Sequence, residues 1–288
     1  MNIEGILVPI VTPFTADNQI DTALLAELVN EFIAKGVTGI VACGTTGEYY
    51  TFTEAERETV LTTIAEAAAG RCTLIAGVSD MSSEIAAQRA ERAQALGYHG
   101  LMLSAPPYSL PSQQGIIEHF EFVASRTELP IIMYNFPARV GVEIEFDTVA
   151  HLAKHPQIVG IKESTGNFSN ALRMLQANFA DFDVVCGCDD QPLDFFFWGA
   201  RSWIAGAANV FPEEQVALFQ AARKQDWAEA KRLLTAIYPA LHSMESGEYN
   251  QKAKIGCLRG QKSAGPVRLP LHNLSEQEAQ AFLALLNE

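Results

Sequence analysis

The sequence has little positive charge and no long apolar run. It contains 20 Lys and Arg against 34 Asp and Glu, which gives a formal net charge of −14. Such acidity argues against nucleic acid or anionic lipid as a partner, because both bind basic surfaces. No apolar run reaches the roughly 20 residues that span a bilayer, and the first residues lack the basic flank and cleavage site of a signal peptide. We therefore expect a soluble, cytoplasmic protein that binds neither nucleic acid nor membrane.

Cysteine is also scarce, and the five cysteines are an odd number scattered through apolar segments: Cys43, Cys72, Cys186, Cys188 and Cys257. This pattern predicts reduced, buried thiols rather than a disulfide framework. Low-complexity tracts, residue-level repeats and glycine-rich linkers are absent as well. What the chain does have is 48% hydrophobic residues over 288 positions, enough apolar material for a large core.

Short β-branched runs alternate with longer helical patterns, which is typical of a parallel sheet with helical crossovers. Amphipathic stretches such as Thr22–Lys35 and Thr53–Ala69 separate the runs, and Thr53 with Glu56 forms a capping box. Eight such units favour a closed α/β barrel, the (β/α)8 or TIM barrel, over a doubly wound sheet. The predicted strands are Leu7–Thr12, Gly39–Cys43, Thr73–Gly77, Gly100–Leu103, Ile131–Tyr134, Ile158–Ile161, Asp183–Cys186 and Ser202–Ala205.

The pattern after the eighth strand is helical only. It runs from Pro212 to Glu288, with interruptions around Gly247–Asn250 and Gly260–Pro270. A barrel needs one closing helix, so the remainder is predicted to be an appendage. We expect a catalytic barrel over residues 1–225 and a C-terminal helical extension over residues 226–288.

Reactive groups of such barrels cluster where strands end, so the residues there are the candidates for chemistry. Lys162 follows an apolar strand, where a buried cation is costly and the neutral amine that attacks a carbonyl is favoured. The alternatives are a lysine that reaches solvent or pairs with Glu163. Tyr134 ends the neighbouring strand and is placed to move protons, unless it is simply a core tyrosine.

Two further segments have polar groups suited to an anionic substrate. Thr45 and Thr46 lie between glycines in a tight turn, whose N–H groups and hydroxyls suit a carboxylate. Such turns also simply connect a strand to a helix, and Glu48 is interpreted as a structural residue of this loop. Arg139 follows Tyr134 by five residues and is able to bind a carboxylate through two hydrogen bonds, or else is solvated.

A metal site is not predicted. His151 and His155 have helical spacing but precede the sixth strand, at the other end of the barrel, and the Cys186 and Cys188 pair lacks a second pair of thiols. A metal-dependent aldolase is therefore the weaker alternative, and we expect neither a metal nor another cofactor.

Taken together, four ordered motifs resemble the dihydrodipicolinate synthase and N-acetylneuraminate lyase family of class I aldolases. They are Gly44–Glu48, Tyr134–Pro137, Gly160–Glu163 and Gly187–Asp190. The resemblance implies that Lys162 is the Schiff-base lysine and Tyr134 the proton relay. It also implies that Thr46 links that relay and that Thr45, with the Thr46 backbone, holds the keto acid carboxylate.

The same resemblance assigns four further positions. Tyr108 matches a tyrosine that completes the relay from a neighbouring subunit, which implies at least a homodimer and usually a homotetramer. Arg139 matches the arginine that binds the carboxylate of aspartate semialdehyde. Gly187 and the Ile204 carbonyl match positions near the bound imine.

Three features leave the substrate open. Pro107 stands where the synthases usually have a second tyrosine, and Ser246–Gln251 replaces their asparagine- and proline-rich segment. Tyr134–Ala138 is similar to relatives that cleave 2-keto-3-deoxy sugar acids.

We predict a lyase that joins a keto acid, pyruvate, to an aldehyde through Lys162, with a synthase-like reaction. The alternatives are a 2-keto-3-deoxy sugar acid aldolase, a related dehydratase or deaminase, and a keto acid binding protein without turnover.

Overall fold

A computed structural model describes residues 1–287. Its eight strands form a closed parallel barrel in the order β1 to β8, and helices lie between the strands and after the last one. The predicted (β/α)8 barrel with C-terminal helices is confirmed. The strands, in chain order, are β1 Gly5–Pro9, β2 Gly39–Ala42, β3 Thr73–Gly77, β4 Gly100–Ser104, β5 Ile131–Asn135, β6 Ile158–Glu163, β7 Asp183–Cys186 and β8 Ser202–Ile204.

The strands are buried almost throughout, including every residue of β1, β2, β4, β5 and β8. Parallel strands covered on both faces read as continuous apolar runs for this reason. All eight predicted strands are present. The fifth and sixth extend further than predicted, so that Tyr134 and Lys162 lie within β5 and β6 rather than at or beyond their ends.

Within the described residues the chain forms twelve α-helices and two short 3-10 helices, Tyr49–Thr51 and Gly206–Asn209. The capping box predicted at Thr53 and Glu56 is present at the start of the second helix. The α-helices are α1 Thr22–Ala34, α2 Glu54–Ala68, α3 Ser83–Ala95, α4 Gln113–Ala124, α5 Pro137–Val140, α6 Phe146–Leu152, α7 Phe168–Ala177, α8 Pro192–Phe197, α9 Pro212–Arg223, α10 Trp227–Glu245, α11 Tyr249–Ile255 and α12 Glu276–Leu285.

The C-terminal segment is helical with the predicted interruptions, but the second one is longer than expected. The chain leaves α11 after Ile255 and does not become helical again until Glu276. Pro266 and Pro270 lack backbone donors, and Gly265 has a positive φ of 75°. These residues prevent a helix from forming there.

The chain divides into two compact units, each formed by two stretches of sequence. One unit comprises Met1–Glu4 and Thr73–Ile204, and the other comprises Gly5–Cys72 and the chain from Ala205 onward. The boundary that we expect between barrel and extension at residue 225 remains a prediction. None of the helices in residues 1–287 is both long enough and apolar enough to cross a membrane.

None of the five cysteines, all of which lie within the described residues, forms a disulfide. Cys43, Cys186 and Cys257 are buried, as predicted, whereas Cys72 and Cys188 are only half-buried. The prediction that every thiol lies in the core was therefore wrong for these two.

Candidate active site

Lys162 and Tyr134 face each other on neighbouring strands. The register of β5 and β6 places Tyr134 beside Lys162, and the Lys162 amine lies 4.3 Å from the centre of the Tyr134 ring. Both side chains are buried, at 6% and 7% exposure. The alternative of a lysine that reaches solvent is therefore wrong. The pair puts an amine and a phenol together in a site with little water, which suits imine formation and proton transfer.

Gly187 follows β7 and lies directly against Lys162. A Cβ atom at this position would be 2.9 Å from Lys162 Cγ and 2.7 Å from the Glu163 carbonyl oxygen. Such distances are shorter than van der Waals contact, so glycine is required here. The Gly187 N–H donates to the Glu163 carbonyl at 2.9 Å. The structure thus brings Gly187 next to Lys162, and its position near a bound imine remains a prediction.

Glu163 points away from this pair and is bonded elsewhere. Its carboxylate accepts hydrogen bonds from the Thr165 backbone N–H at 2.8 Å and from Asn135 Nδ2 at 3.0 Å. Burial raises the pKa of the Glu163 carboxyl above its ordinary value, while the Thr165 and Asn135 donors partly oppose this shift. Asn135 also exchanges hydrogen bonds with the Ile144 backbone. Glu163 therefore fixes the chain after β5 instead of neutralising Lys162.

Phe136 connects the pair to Arg139. Its ring lies 5.7 Å from the Tyr134 ring and 5.9 Å from the Arg139 guanidinium. Arg139 is exposed and lies in the short helix α5. A guanidinium over an aromatic ring keeps its donors free for a carboxylate. The sequence pointed to Arg139 but not to the role of Phe136.

Tyr108 and Ile204 have contrasting environments. Tyr108 lies in the loop after β4 with 89% exposure and a positive φ of 71°, which directs a large aromatic side chain into solvent. Ile204 is the last residue of β8 and is buried. The roles that the sequence predicted for these two residues remain predictions.

The predicted carboxylate-binding turn lies in the unit that begins at Gly5. The Gly47 N–H donates to the Gly44 carbonyl at 3.0 Å and the Glu48 N–H to the Thr45 carbonyl at 3.1 Å. A Cβ atom on Gly47 would be 2.9 Å from the Ile10 carbonyl oxygen, so the turn closes only with glycine. Thr46 is buried and Thr45 half-buried.

Glu48 has a structural partner that the sequence did not reveal. Its carboxylate forms an ion pair with Lys254 of α11 at 2.9 Å, and both side chains are fully buried. The second carboxylate oxygen accepts from the Arg268 backbone N–H at 2.9 Å. Burial lowers the pKa of Lys254 to about 8, against the attraction of Glu48. The interpretation of Glu48 as a loop residue agrees with these contacts.

His151, which the sequence analysis considered as a metal ligand, has a carboxylate partner instead. His151 lies 3.2 Å from the Glu121 carboxylate on the surface. Across residues 1–287, no group of three or more His, Cys, Asp and Glu side chains is arranged to hold a metal ion.

Comparison with known proteins places these residues in a family. Residues 2–288 match the model of the dihydrodipicolinate synthetase family. A curated relative, 4-hydroxy-tetrahydrodipicolinate synthase from Methanosphaerula palustris, is 35% identical over 99% of this chain and 98% of its own. A second, from Exiguobacterium sibiricum, is 36% identical over 92% of this chain and 90% of its own.

A solved structure shows the same likeness. The chloride-inhibited dihydrodipicolinate synthase from Acinetobacter baumannii, complexed with pyruvate, superposes with a TM-score of 0.93 at 33% identity, covering 99% of this chain and 98% of that one. These findings favour the synthase-like hypothesis over the sugar acid aldolase. They also confirm the predicted enzyme class, a class I lyase that acts through a lysine Schiff base. The chain belongs to the dihydrodipicolinate synthetase family.

Proposed function

We propose that this enzyme condenses pyruvate with aspartate semialdehyde through an imine on Lys162. The observation that carries the proposal is the buried contact between the Lys162 amine and the Tyr134 ring, 4.3 Å apart on adjacent strands. A buried amine beside a phenol has both the nucleophile and the proton carrier that the reaction needs.

The first half of the reaction makes a carbon nucleophile. The neutral amine of Lys162 adds to the keto carbon of pyruvate, and the adduct loses water after Tyr134 supplies a proton to the departing oxygen. The resulting iminium withdraws electrons from the adjacent methyl group. The phenolate of Tyr134 then takes a proton from this methyl group, which restores the phenol and gives the enamine, with the electron pair of the broken C–H bond shared along the C–C–N unit. No metal is required, because the iminium itself accepts the electrons.

The second half forms the bond and frees the enzyme. The enamine carbon adds to the aldehyde carbon, and the aldehyde oxygen takes a proton through Tyr134. The amino group of the second substrate then displaces Lys162 from the imine carbon, which closes a ring and restores the free amine. Thr46 and Tyr108 orient the Tyr134 hydroxyl in this scheme.

The remaining residues bind the two carboxylates. Thr45 and the Thr46 backbone N–H hold the carboxylate of pyruvate in the turn that Gly47 closes. Arg139, held over Phe136, binds the carboxylate of aspartate semialdehyde. Gly187 leaves room for the imine beside Lys162, and the Ile204 carbonyl orients the lysine.

The exposed position of Tyr108 supports an assembly of subunits. A tyrosine with 89% exposure in a loop held at positive φ is suited to reach a neighbouring copy of the chain. We infer that Tyr108 completes the proton relay of that neighbour in a cytoplasmic homodimer or homotetramer.

Borohydride trapping tests the imine. Intact mass after incubation with pyruvate and borohydride is expected to show one reduced pyruvate adduct per chain, and none for Lys162→Ala. Peptide mapping is expected to place the adduct on Lys162. A folded parent without adduct would mean that pyruvate is not the keto acid.

A substrate comparison tests the second half. We expect turnover with pyruvate and aspartate semialdehyde and none with 2-keto-3-deoxygluconate. Turnover with 2-keto-3-deoxygluconate alone would contradict the proposed reaction while leaving the imine intact.

A further inference from the structure

Helix α11 begins in the segment Ser246–Gln251, where the sequence departs from the synthases. Glu248 precedes the helix with a positive φ of 51°, and the chain turns so that Asn250 is buried. Asn250 Nδ2 donates to the Thr45 carbonyl oxygen at 3.1 Å and lies 3.3 Å from the Tyr50 hydroxyl. The segment that differs from the synthases therefore contacts the turn that we propose binds the carboxylate.

The same helix has a second contact on the other side of that turn. Lys254, one helical turn after Asn250, forms the buried ion pair with Glu48. The Lys254 amine lies 3.9 Å from the Phe14 ring centre and also donates to the Pro266 carbonyl at 2.5 Å. An ion pair that is fully buried and has several hydrogen bonds holds its two elements in one arrangement.

The two contacts bracket Thr46. Asn250 donates a hydrogen bond to Thr45, the residue before Thr46. Lys254 pairs with Glu48, two residues after Thr46. The Thr45 carbonyl that Asn250 binds also closes the turn by accepting from the Glu48 N–H. Displacement of either contact therefore changes the direction of the Thr45 and Thr46 groups.

We propose that α11 positions the turn that binds the keto acid carboxylate, with Asn250 and the Glu48–Lys254 pair as its positioning residues. The inference rests on the proposed function of Thr45 and Thr46. It gives the C-terminal segment a role in pyruvate binding, and it predicts that damage to these contacts weakens binding of pyruvate rather than of the aldehyde.

Two substitutions of Asn250 separate the hydrogen bond from the volume of the side chain. Asn250→Ala removes both, and Asn250→Asp keeps the shape but offers no donor to the Thr45 carbonyl. Gln251→Ala is the matched control, because Gln251 is the next residue, is also buried, and donates its amide to the His272 carbonyl at 2.9 Å, away from the turn.

The first measurement is the pyruvate concentration that gives half-maximal borohydride trapping. We expect it to rise about tenfold in both Asn250 variants, the loss expected for one buried hydrogen bond, and to stay within about twofold in Gln251→Ala. The KM for aspartate semialdehyde is expected to change less than the KM for pyruvate in the same variants. An Asn250→Asp variant with the pyruvate dependence of the parent would overturn the role of the hydrogen bond.

A second measurement does not depend on the keto acid. Hydrogen exchange of peptides covering residues 44–48 is expected to accelerate in Asn250→Ala and in the double variant Glu48→Gln/Lys254→Met, but not in Gln251→Ala. The double variant keeps both sites neutral, so it is expected to fold. Unchanged exchange in both would overturn the inference. A parent that forms no pyruvate adduct would instead contradict the proposed function.

Discussion

Lys162 and Lys254 are both buried lysines over aromatic rings, yet their surroundings differ in one respect. The Lys254 amine lies 3.9 Å from the Phe14 ring and is paired with the buried carboxylate of Glu48. The Lys162 amine lies 4.3 Å from the Tyr134 ring, while the nearby carboxylate of Glu163 is engaged by Asn135 and Thr165. The carboxylate holds the Lys254 amine in a buried ion pair, whereas the Lys162 amine faces an aromatic ring whose phenol is able to exchange protons with a substrate. Because both lysines are buried, the comparison teaches that the groups around a buried lysine distinguish a structural residue from a candidate nucleophile.

The largest expected effect is the loss of chemistry in Lys162→Ala. Removal of the amine is expected to abolish the adduct and to lower kcat by at least about a thousandfold, since no other group forms the covalent intermediate. Thermal stability should change little, because Lys162 forms no ion pair with any of residues 1–287. Steady-state kinetics and a melting curve of the same preparation check both parts. Retained turnover would remove Lys162 from the reaction.

For Lys254→Met we expect the main effect on stability rather than on the chemical step. This variant leaves the Glu48 carboxylate buried without its partner, which is expected to lower the free energy of unfolding by about 3–5 kcal/mol. Adding Glu48→Gln should restore most of this loss, because a neutral amide is cheaper to bury than a carboxylate. Urea unfolding of the two variants beside the parent measures the difference. Equal stability of the single and double variants would show that the pair is not coupled.

Tyr134→Phe sharpens the comparison by keeping the ring and removing only the hydroxyl. The contact with the Lys162 amine remains, so the fold is expected to be as stable as that of the parent. The rate of condensation should fall about a hundredfold, because a positioned proton carrier is lost. Unfolding curves together with kcat at saturating substrate test this. An unchanged kcat would assign the proton transfer to another group.

The smallest effect is expected at His119, a third type of buried base whose hydrogen-bond partner is a hydroxyl group. Its Nδ1 lies 2.8 Å from Ser83 Oγ, and burial lowers the pKa of His119 from 6.5 to about 4. Because the pKa of the folded protein is the lower one, the stability from neutral His119 is complete above pH 6.5 and is lost as the pH falls toward 4. Between about pH 7 and pH 5.5 we expect a loss of about 1 kcal/mol.

His119→Gln should flatten the dependence of stability on pH over this interval, since glutamine does not titrate. Urea unfolding of parent and variant at the two pH values gives the difference directly. Parallel pH profiles would mean that protonation of His119 is not coupled to folding.

The alternation of strands and helices made the barrel predictable. All eight strands overlap the predicted apolar runs, because buried parallel strands need continuous apolar residues. The first strand begins two residues earlier and ends three residues earlier than predicted, at Gly5–Pro9. The capping box at Thr53 and Glu56 was equally readable, since its two hydrogen bonds join residues three positions apart. Local rules of this kind need no knowledge of the rest of the chain.

The candidate site was predicted in part. The position after an apolar run identified Lys162 and Tyr134, and the glycines around Thr45 and Thr46 identified the turn. Phe136 was missed as the contact between Tyr134 and Arg139, because stacking geometry has no sequence signal. Asn250 was visible only as a departure from the family, without any indication of what it binds.

What the sequence by itself determined is the order of elements, the class of fold and the residue types that are available for imine chemistry. Only the tertiary structure decided the environment of each buried charge. Glu48 and Lys254 are separated by 206 positions, and Glu163 is turned toward Asn135 although it is adjacent to Lys162 in the chain. Two charges pair when they lie close together in the folded chain. Their distance depends on how strands and helices from distant segments pack against one another.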